Sequence, residues 1–221
     1  MIFEFEPWFW PEFFNSLLDT FYMVGVGLII SIIIGVPIGI ILVVTKEKGI
    51  LEHKIVFNSL NVIINIFRSI PFIILIVAVT PFTRFIVGTA IGTTAAIVPL
   101  VLYTAFYIGR LVENSLLEVD SGTTELAQSL GATPWQTIWK FLLPEALSSL
   151  VLAITIATIG LIGATAMAGA VGAGGIGDLA ITYGYNQYKH EIMFVTVVSL
   201  IVLVQFVQSL GNTIANRIRR N

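Results

Sequence analysis

Residues Glu118 to Leu147 read EVDSGTTELAQSLGATPWQTIWKFLLPEAL, the longest stretch that the surrounding apolar runs leave in water. The residues spell two short helices joined by one tight turn. Ser121 or a neighbour supplies an N-cap for a helix through Leu130, and Gly131 stands where a left-handed residue commonly ends one. Thr133, Pro134, Trp135 and Gln136 then form a capping box with proline at the first helical position. In that motif the threonine hydroxyl accepts from the backbone N–H three residues on, and the glutamine reaches back. A second helix is therefore expected from Pro134. It is expected to stop before Pro144, whose ring would clash with the carbonyl four residues earlier.

Outside this stretch the chain is built for lipid. Apolar residues make up 57% of it and charged ones only 11%, far from the balance of soluble domains, so an integral membrane protein is expected in contact with a lipid bilayer. A net charge of -2, with the basic residues scattered over loops and the C-terminus, argues against nucleic acid as a partner. Without cysteine there is no disulfide framework, thiolate nucleophile or cysteine-ligated metal. The N-terminus does not open like a signal peptide: Glu4, Glu6 and Glu12 stand among Phe3, Phe5, Trp8, Phe9, Trp10, Phe13 and Phe14, a pattern suited to an aromatic belt at one membrane surface.

A hydrocarbon core of about 30 Å needs about 20 apolar helical residues, and five stretches supply them. They lie near residues 17–44, 55–80, 85–109, 147–171 and 192–215, in one all-α membrane domain covering 1–221. In the second stretch Asn58, Asn61, Asn65 and Arg68 point to an interfacial or inward-facing first half. Lysine and arginine set the orientation, because short basic loops stay on the cytoplasmic side. With the N-terminus outside, the inner segments hold Lys46, Lys48, Lys54, Arg110, Lys140, Arg217, Arg219 and Arg220, against Arg84 and Lys189 outside. The 118–147 loop and the C-terminus are then cytoplasmic.

Motifs for chemistry are weak or absent. Gly172, Gly174 and Gly177 formally match a dinucleotide fingerprint, but they follow a membrane helix rather than a strand, and no acidic residue stands at ribose spacing. The run GATAMAGAVGAGGIG, Gly163 to Gly177, suits close approach of helices, or packing that also borders a substrate path. No phosphate-binding loop occurs, so ATP cannot be bound in that way. His53 and His190 stand alone as surface histidines, no metal site is expected, and no base at membrane depth could activate a serine. No catalytic residue is expected. Arg68 either snorkels to headgroups or faces a polar cavity, and Met167 either fills a gap or borders the path of an apolar substrate. Trp135 and Trp139, four apart with Ile138 nearby, make an apolar face that either docks another protein or packs on the chain's own helices.

Glu125, Ala127 and Gly131, followed after nine residues by Phe141, Leu142, Leu143 and Pro144, resemble the E-A-A, G and I-x-L-P signature of ABC importer permeases. Leu126 replaces the first alanine and Phe141 the isoleucine. The resemblance runs over nearly the whole chain from about Leu17. NIFRSIPFIIL (Asn65 to Leu75), PFTRFIVGT (Pro81 to Thr89), AAIVPL (Ala95 to Leu100), GATP (Gly131 to Pro134), LLPEAL (Leu142 to Leu147) and GAVGAGGIG (Gly169 to Gly177) look like the methionine importer permeases.

That resemblance implies a type I ABC importer permease fold in a bacterial inner membrane. It implies a non-enzymatic homodimer, two cytoplasmic ATPase subunits that hold ATP and magnesium, and an external methionine-binding lipoprotein. Glu125, Ala127, Gly131, Ala132, Thr133, Pro134 and Trp135 would make the coupling contact with the ATPase, and Arg68, Gly163, Thr165 and Met167 are candidates for the substrate path. Methionine, its D-isomer and related amino acids are the expected cargo. Another small solute such as glycine betaine, and a secondary transporter or channel without an ATPase, are the rival readings.

Overall fold

The computed structural model describes residues 5 to 220, so Phe3 and Glu4 of the expected aromatic belt lie outside the described residues. The described residues contain helices and no strand: α1 (Phe9–Thr45), α2 (Lys54–Ser69), α3 (Phe72–Ala78), α4 (Thr80–Val87), α5 (Thr93–Leu117), α6 (Ser121–Ser129), α7 (Pro134–Thr137), α8 (Leu143–Glu145), α9 (Leu147–Gly169), α10 (Gly175–Leu179) and α11 (His190–Arg219). Single π turns at Ile138–Leu142 and Ala180–Tyr185 join α7 to α8 and extend α10.

Among the described residues four helices, α1, α5, α9 and α11, are long and apolar enough to cross a membrane unaided. Two of the expected spans need correction. The stretch 55–80 is not one helix, because α2 and α3 meet at a 104° bend. Pro71 sits at the break; its ring disfavours helical backbone at Ile70, and it has no N–H to continue the ladder. The stretch 85–109 is also broken. Gly88 ends α4 in a left-handed conformation, Gly92 is left-handed as well, and the spanning helix begins only at Thr93 and runs to Leu117. Arg110, counted above as a loop charge, therefore lies inside α5. Pro37 and Pro99 remain within α1 and α5.

Two compact units partition the chain, and α1, α5, α9 and α11 contribute to both. One comprises the described residues up to Ile30 with Ile70–Thr104 and Thr158–Val207. Its core is Met23, Phe72, Ala96, Leu100, Leu161, Ala164, Ala168 and Ala173, in which alanines let the helices come close. A Cβ on Gly177 would strike the backbone of Ala166, so part of the glycine-rich run serves close packing. The first turn of α10 is anchored by the Thr20 hydroxyl, which accepts from the Ile176 N–H at 2.9 Å. The N-terminal aromatics divide: Phe9 and Phe13 are buried with Leu179 and Ile192, whereas Trp10 and Phe14 stay exposed. Lys189 donates to Glu6 at 2.7 Å and lies over the Trp8 ring. The bond from Lys189 first, and one that the Trp8 indole N–H donates to the same carboxylate second, hold the Glu6 carboxyl below the usual carboxylate range.

The other unit comprises Ser31–Ser69, Ala105–Ala157 and the residues from Gln208 onward. Here α1 crosses α5 at backbone distance. A Cβ on Gly35 would lie 2.5 Å from the Ala105 carbonyl oxygen, and one on Gly39 would lie 2.6 Å from the Gly109 carbonyl oxygen. Without a strong hydrophobic drive between helices in lipid, such small-residue contact supplies the attraction. His53 accepts from the Val56 N–H through Nδ1, at the start of α2. The Ser148 hydroxyl donates to the Ala215 carbonyl and ties α9 to α11.

Gly39→Ala is expected to destabilise the protein by about 1–3 kcal/mol through overpacking, read as an earlier thermal transition in detergent. Gly25→Ala, with nothing within 4 Å of the new methyl, is expected to be neutral or stabilising. Glu6 contributes above the unfolded carboxylate pKa, because its folded pKa is depressed, and loses that contribution as pH falls through the folded value. The difference in thermal stability between Glu6→Ala and the parent is therefore expected to shrink as pH drops below about 4.

Candidate functional site

The loop expected to couple is held by its own backbone. Asp120 caps α6 by accepting from the Gly122 N–H at 2.7 Å. At the other end the Gly131 N–H donates to the Gln128 carbonyl at 2.9 Å and the Ala132 N–H to the Ala127 carbonyl at 3.0 Å. This pair of bonds is the Schellman closure, and it requires the left-handed Gly131 with φ 69°. Thr133 then opens α7 with the capping box complete: its N–H donates to Gln136 Oε1 at 2.9 Å, and its hydroxyl accepts from the Gln136 N–H at 3.3 Å. One helix stop thus runs directly into one helix start, leaving the turn little freedom.

Pro144 does not end the second helix. The π turn at Ile138–Leu142 places the Leu143 N–H on the Ile138 carbonyl, and helix resumes at Leu143–Glu145 with proline in its first turn. With i→i+5 bonding, residue 144 is not required to bond residue 140, so its missing N–H breaks nothing. Sequence reasoning had no signal for this turn.

Burial separates anchors from contact residues. Ala127 is fully buried, with Thr137, Ile138, Leu142 and Ala146 also inside, so Ile138 does not join the exposed face. Leu126, Leu130, Trp135 and Trp139 are exposed; Leu130 is 69% and Trp135 68% accessible. The centres of the two indole rings lie 5.3 Å apart. Exposed Glu125 borders a cavity of about 410 Å³ with Lys46, Lys48, Ser121, Thr124 and Gln128. Leu126, at the position of the signature's first alanine, and Leu130, at a position the signature does not specify, are thus accessible together with Gly131 and Trp135.

The other candidates scatter. Gly163 and Met167 are both exposed on one face of α9, with Leu152 and Ile156 below them at helical spacing. A methyl on Gly163 would meet nothing within 4 Å. Thr165 is buried and its hydroxyl donates to the Ile162 carbonyl at 2.7 Å. Arg68 is exposed in the last turn of α2. Sequence reading missed what α2 does with its amides: Arg110 donates to Asn61 at 2.7 Å and to Asn65 at 3.2 Å.

Gly131→Ala is expected to cost about 1–2 kcal/mol, because alanine resists the left-handed conformation. Thr133→Ala is expected to cost about 1 kcal/mol through the lost cap, while Gly163→Ala leaves the thermal transition in place. Thermal unfolding of the three purified variants checks the ranking.

Comparison with known proteins gives the site its context. Residues 35–220 match the family described as binding-protein-dependent transport system inner membrane component. The probable D-methionine transport system permease protein MetI of Vibrio cholerae is 50% identical over 90% of this chain and 89% of its own length. That of Pasteurella multocida is 46% identical over 96% and 97%. A chain from inward facing conformations of the MetNI methionine ABC transporter superposes with a TM-score of 0.95 at 45% identity, covering 97% of this chain and 99% of the other. An amino acid ABC transporter crystallised with histidines shares the fold at a TM-score of 0.78 and 18% identity. The expected all-α, type I ABC importer permease fold is thereby found, and the chain belongs to the family of binding-protein-dependent transport system inner membrane components.

Proposed function

We propose that this chain is the transmembrane permease of an ATP-driven importer for methionine, taking D-methionine and related amino acids as well. The observation that carries the reading is the exposed surface of Leu126, Leu130, Trp135 and Trp139, which a Schellman closure and a capping box hold rigidly in water. Isolated, so large an apolar surface on a short loop is costly; covered by a partner, it is a ready contact. The cargo is suggested by the likeness to permeases named for D-methionine and to a methionine transporter.

In this reading Glu125, Ala127, Gly131, Ala132, Thr133, Pro134 and Trp135 form the coupling contact, with Ala127 as the buried anchor and Trp135 as the apolar knob. The partner is a cytoplasmic ATPase, which binds ATP and magnesium and does the hydrolysis; this chain holds no cofactor of its own. One coupling surface per chain calls for two copies against two ATPases, and an external binding lipoprotein delivers the substrate. The chain forms one permease domain over 1–221, with its N-terminus outside and its C-terminus in the cytoplasm. The open α9 face, with Gly163 and Met167, borders the path, and a second copy supplies the opposite wall. Thr165 supports that face from behind, and Arg68 stands at the cytoplasmic side. Closure of the ATPases on ATP shifts the population of the paired permeases from inward to outward access.

Trp135→Asp is expected to abolish co-purification of the ATPase while two permease chains still pair. Because the mutated residue is exposed, folding is not at stake. Retention of the ATPase at parental stoichiometry, with methionine uptake intact, would refute the coupling assignment.

A further inference from the structure

Within the second unit, Arg110 occupies α5 two turns before Leu117, where the chain leaves for the 118–147 loop. Its side chain is only 18% exposed, an expensive position for a guanidinium in a membrane-spanning helix unless partners meet it. They come from two helices. Glu113, one turn further along α5 and 8% exposed, accepts from Nη1, while Nη2 donates to Oδ1 of both Asn61 and Asn65. The asparagines are four residues apart and so stand one above the other on a single face of α2. One turn away Phe67 of α2 stacks on Phe106 of α5, ring centres 4.4 Å apart.

Packing alone does not call for this arrangement, since apolar side chains of similar volume hold helices together without the desolvation cost. What the guanidinium adds is direction. Its planar fork fixes two amide oxygens and one carboxylate at once, which sets the register of α2 along α5. The part of α5 so fixed is the part that continues into the coupling loop.

We propose that Arg110 is a positioning residue of transport: it locks α2 to the end of α5, so that displacement of the coupling surface carries α2 with it. This rests on the coupling reading given above. Cut from α5, α2 lags and ATP is spent without moving substrate.

The test uses the complete complex of permease, ATPase and binding protein in proteoliposomes, measuring methionine accumulated per ATP hydrolysed. Arg110→Met is expected to lower that ratio at least tenfold while assembly and ATP hydrolysis persist, and Arg110→Lys to restore part of it. The pair Asn61→Leu with Asn65→Leu leaves Arg110 on Glu113 and carries less risk to folding; it is expected to lower the ratio as well. An unchanged ratio in the assembled asparagine variant would overturn the proposal. So would a parallel fall of transport and hydrolysis that tracks lost assembly, since that marks a merely structural role. If the parental complex hydrolyses ATP yet accumulates no methionine, it is the proposed function that fails, not the role of Arg110.

Discussion

Hydrocarbon offers a backbone amide no partner, so the chain must satisfy its own N–H and C=O groups wherever it meets lipid. That single constraint organises the rest of the structure. It makes every described regular element a helix, and it explains where helices fail. Pro71 bends the chain by 104° between α2 and α3, and the left-handed Gly88 and Gly92 separate α4 from α5. At Pro144 helical bonding is rearranged instead, by the π turn just ahead of it. Attraction between the helices comes from closeness, with Gly35 and Gly39 of α1 set against the Ala105 and Gly109 carbonyls of α5.

Against this lipid-adapted body, the 118–147 loop is built on the opposite plan. Its helix ends are satisfied by caps rather than by length, and four of its large apolar side chains, Leu126, Leu130, Trp135 and Trp139, are exposed. The Schellman bonds at Gly131 and the box at Thr133 fix the turn from inside, so its outer surface is rigid before any partner arrives. Preorganisation of this kind reduces the ordering cost of docking, which suits a contact that must transmit force rather than merely adhere. Family membership and the named relatives then supply the context in which such a contact has a purpose.

What could be read from the sequence was what is local. The caps at Thr133 and Gly131 depend on residues three to five positions apart, and the structure holds both as the spacing demands. The long apolar helices were legible because lipid imposes their length. The boundary of α5 was not, since an averaged hydropathy profile passes smoothly over Gly88 and Gly92, although the first ends α4 and the second stands just before α5 begins. Nor was the π turn, whose bonds follow no residue preference strong enough to read. Asn61, Asn65 and Arg110 lie far apart in sequence, so the amides could be seen as inward-facing or interfacial but not matched to the guanidinium that binds them. Whether the face of Trp135, Trp139 and nearby Ile138 packs on the chain or stays open was not legible for a related reason: helical spacing gives a direction, whereas burial, which takes Ile138 inside and leaves both indoles exposed, depends on what the rest of the chain puts there.

The most direct measurement of the central claim is accumulation of labelled methionine in sealed vesicles holding the parental permease with its ATPase and binding protein, with ATP on the cytoplasmic side. Accumulation above the equilibrium level that requires ATP hydrolysis and stops when hydrolysis is blocked is the predicted result. Entry that proceeds equally without ATP, or hydrolysis that responds to a different solute and not to methionine, would contradict it.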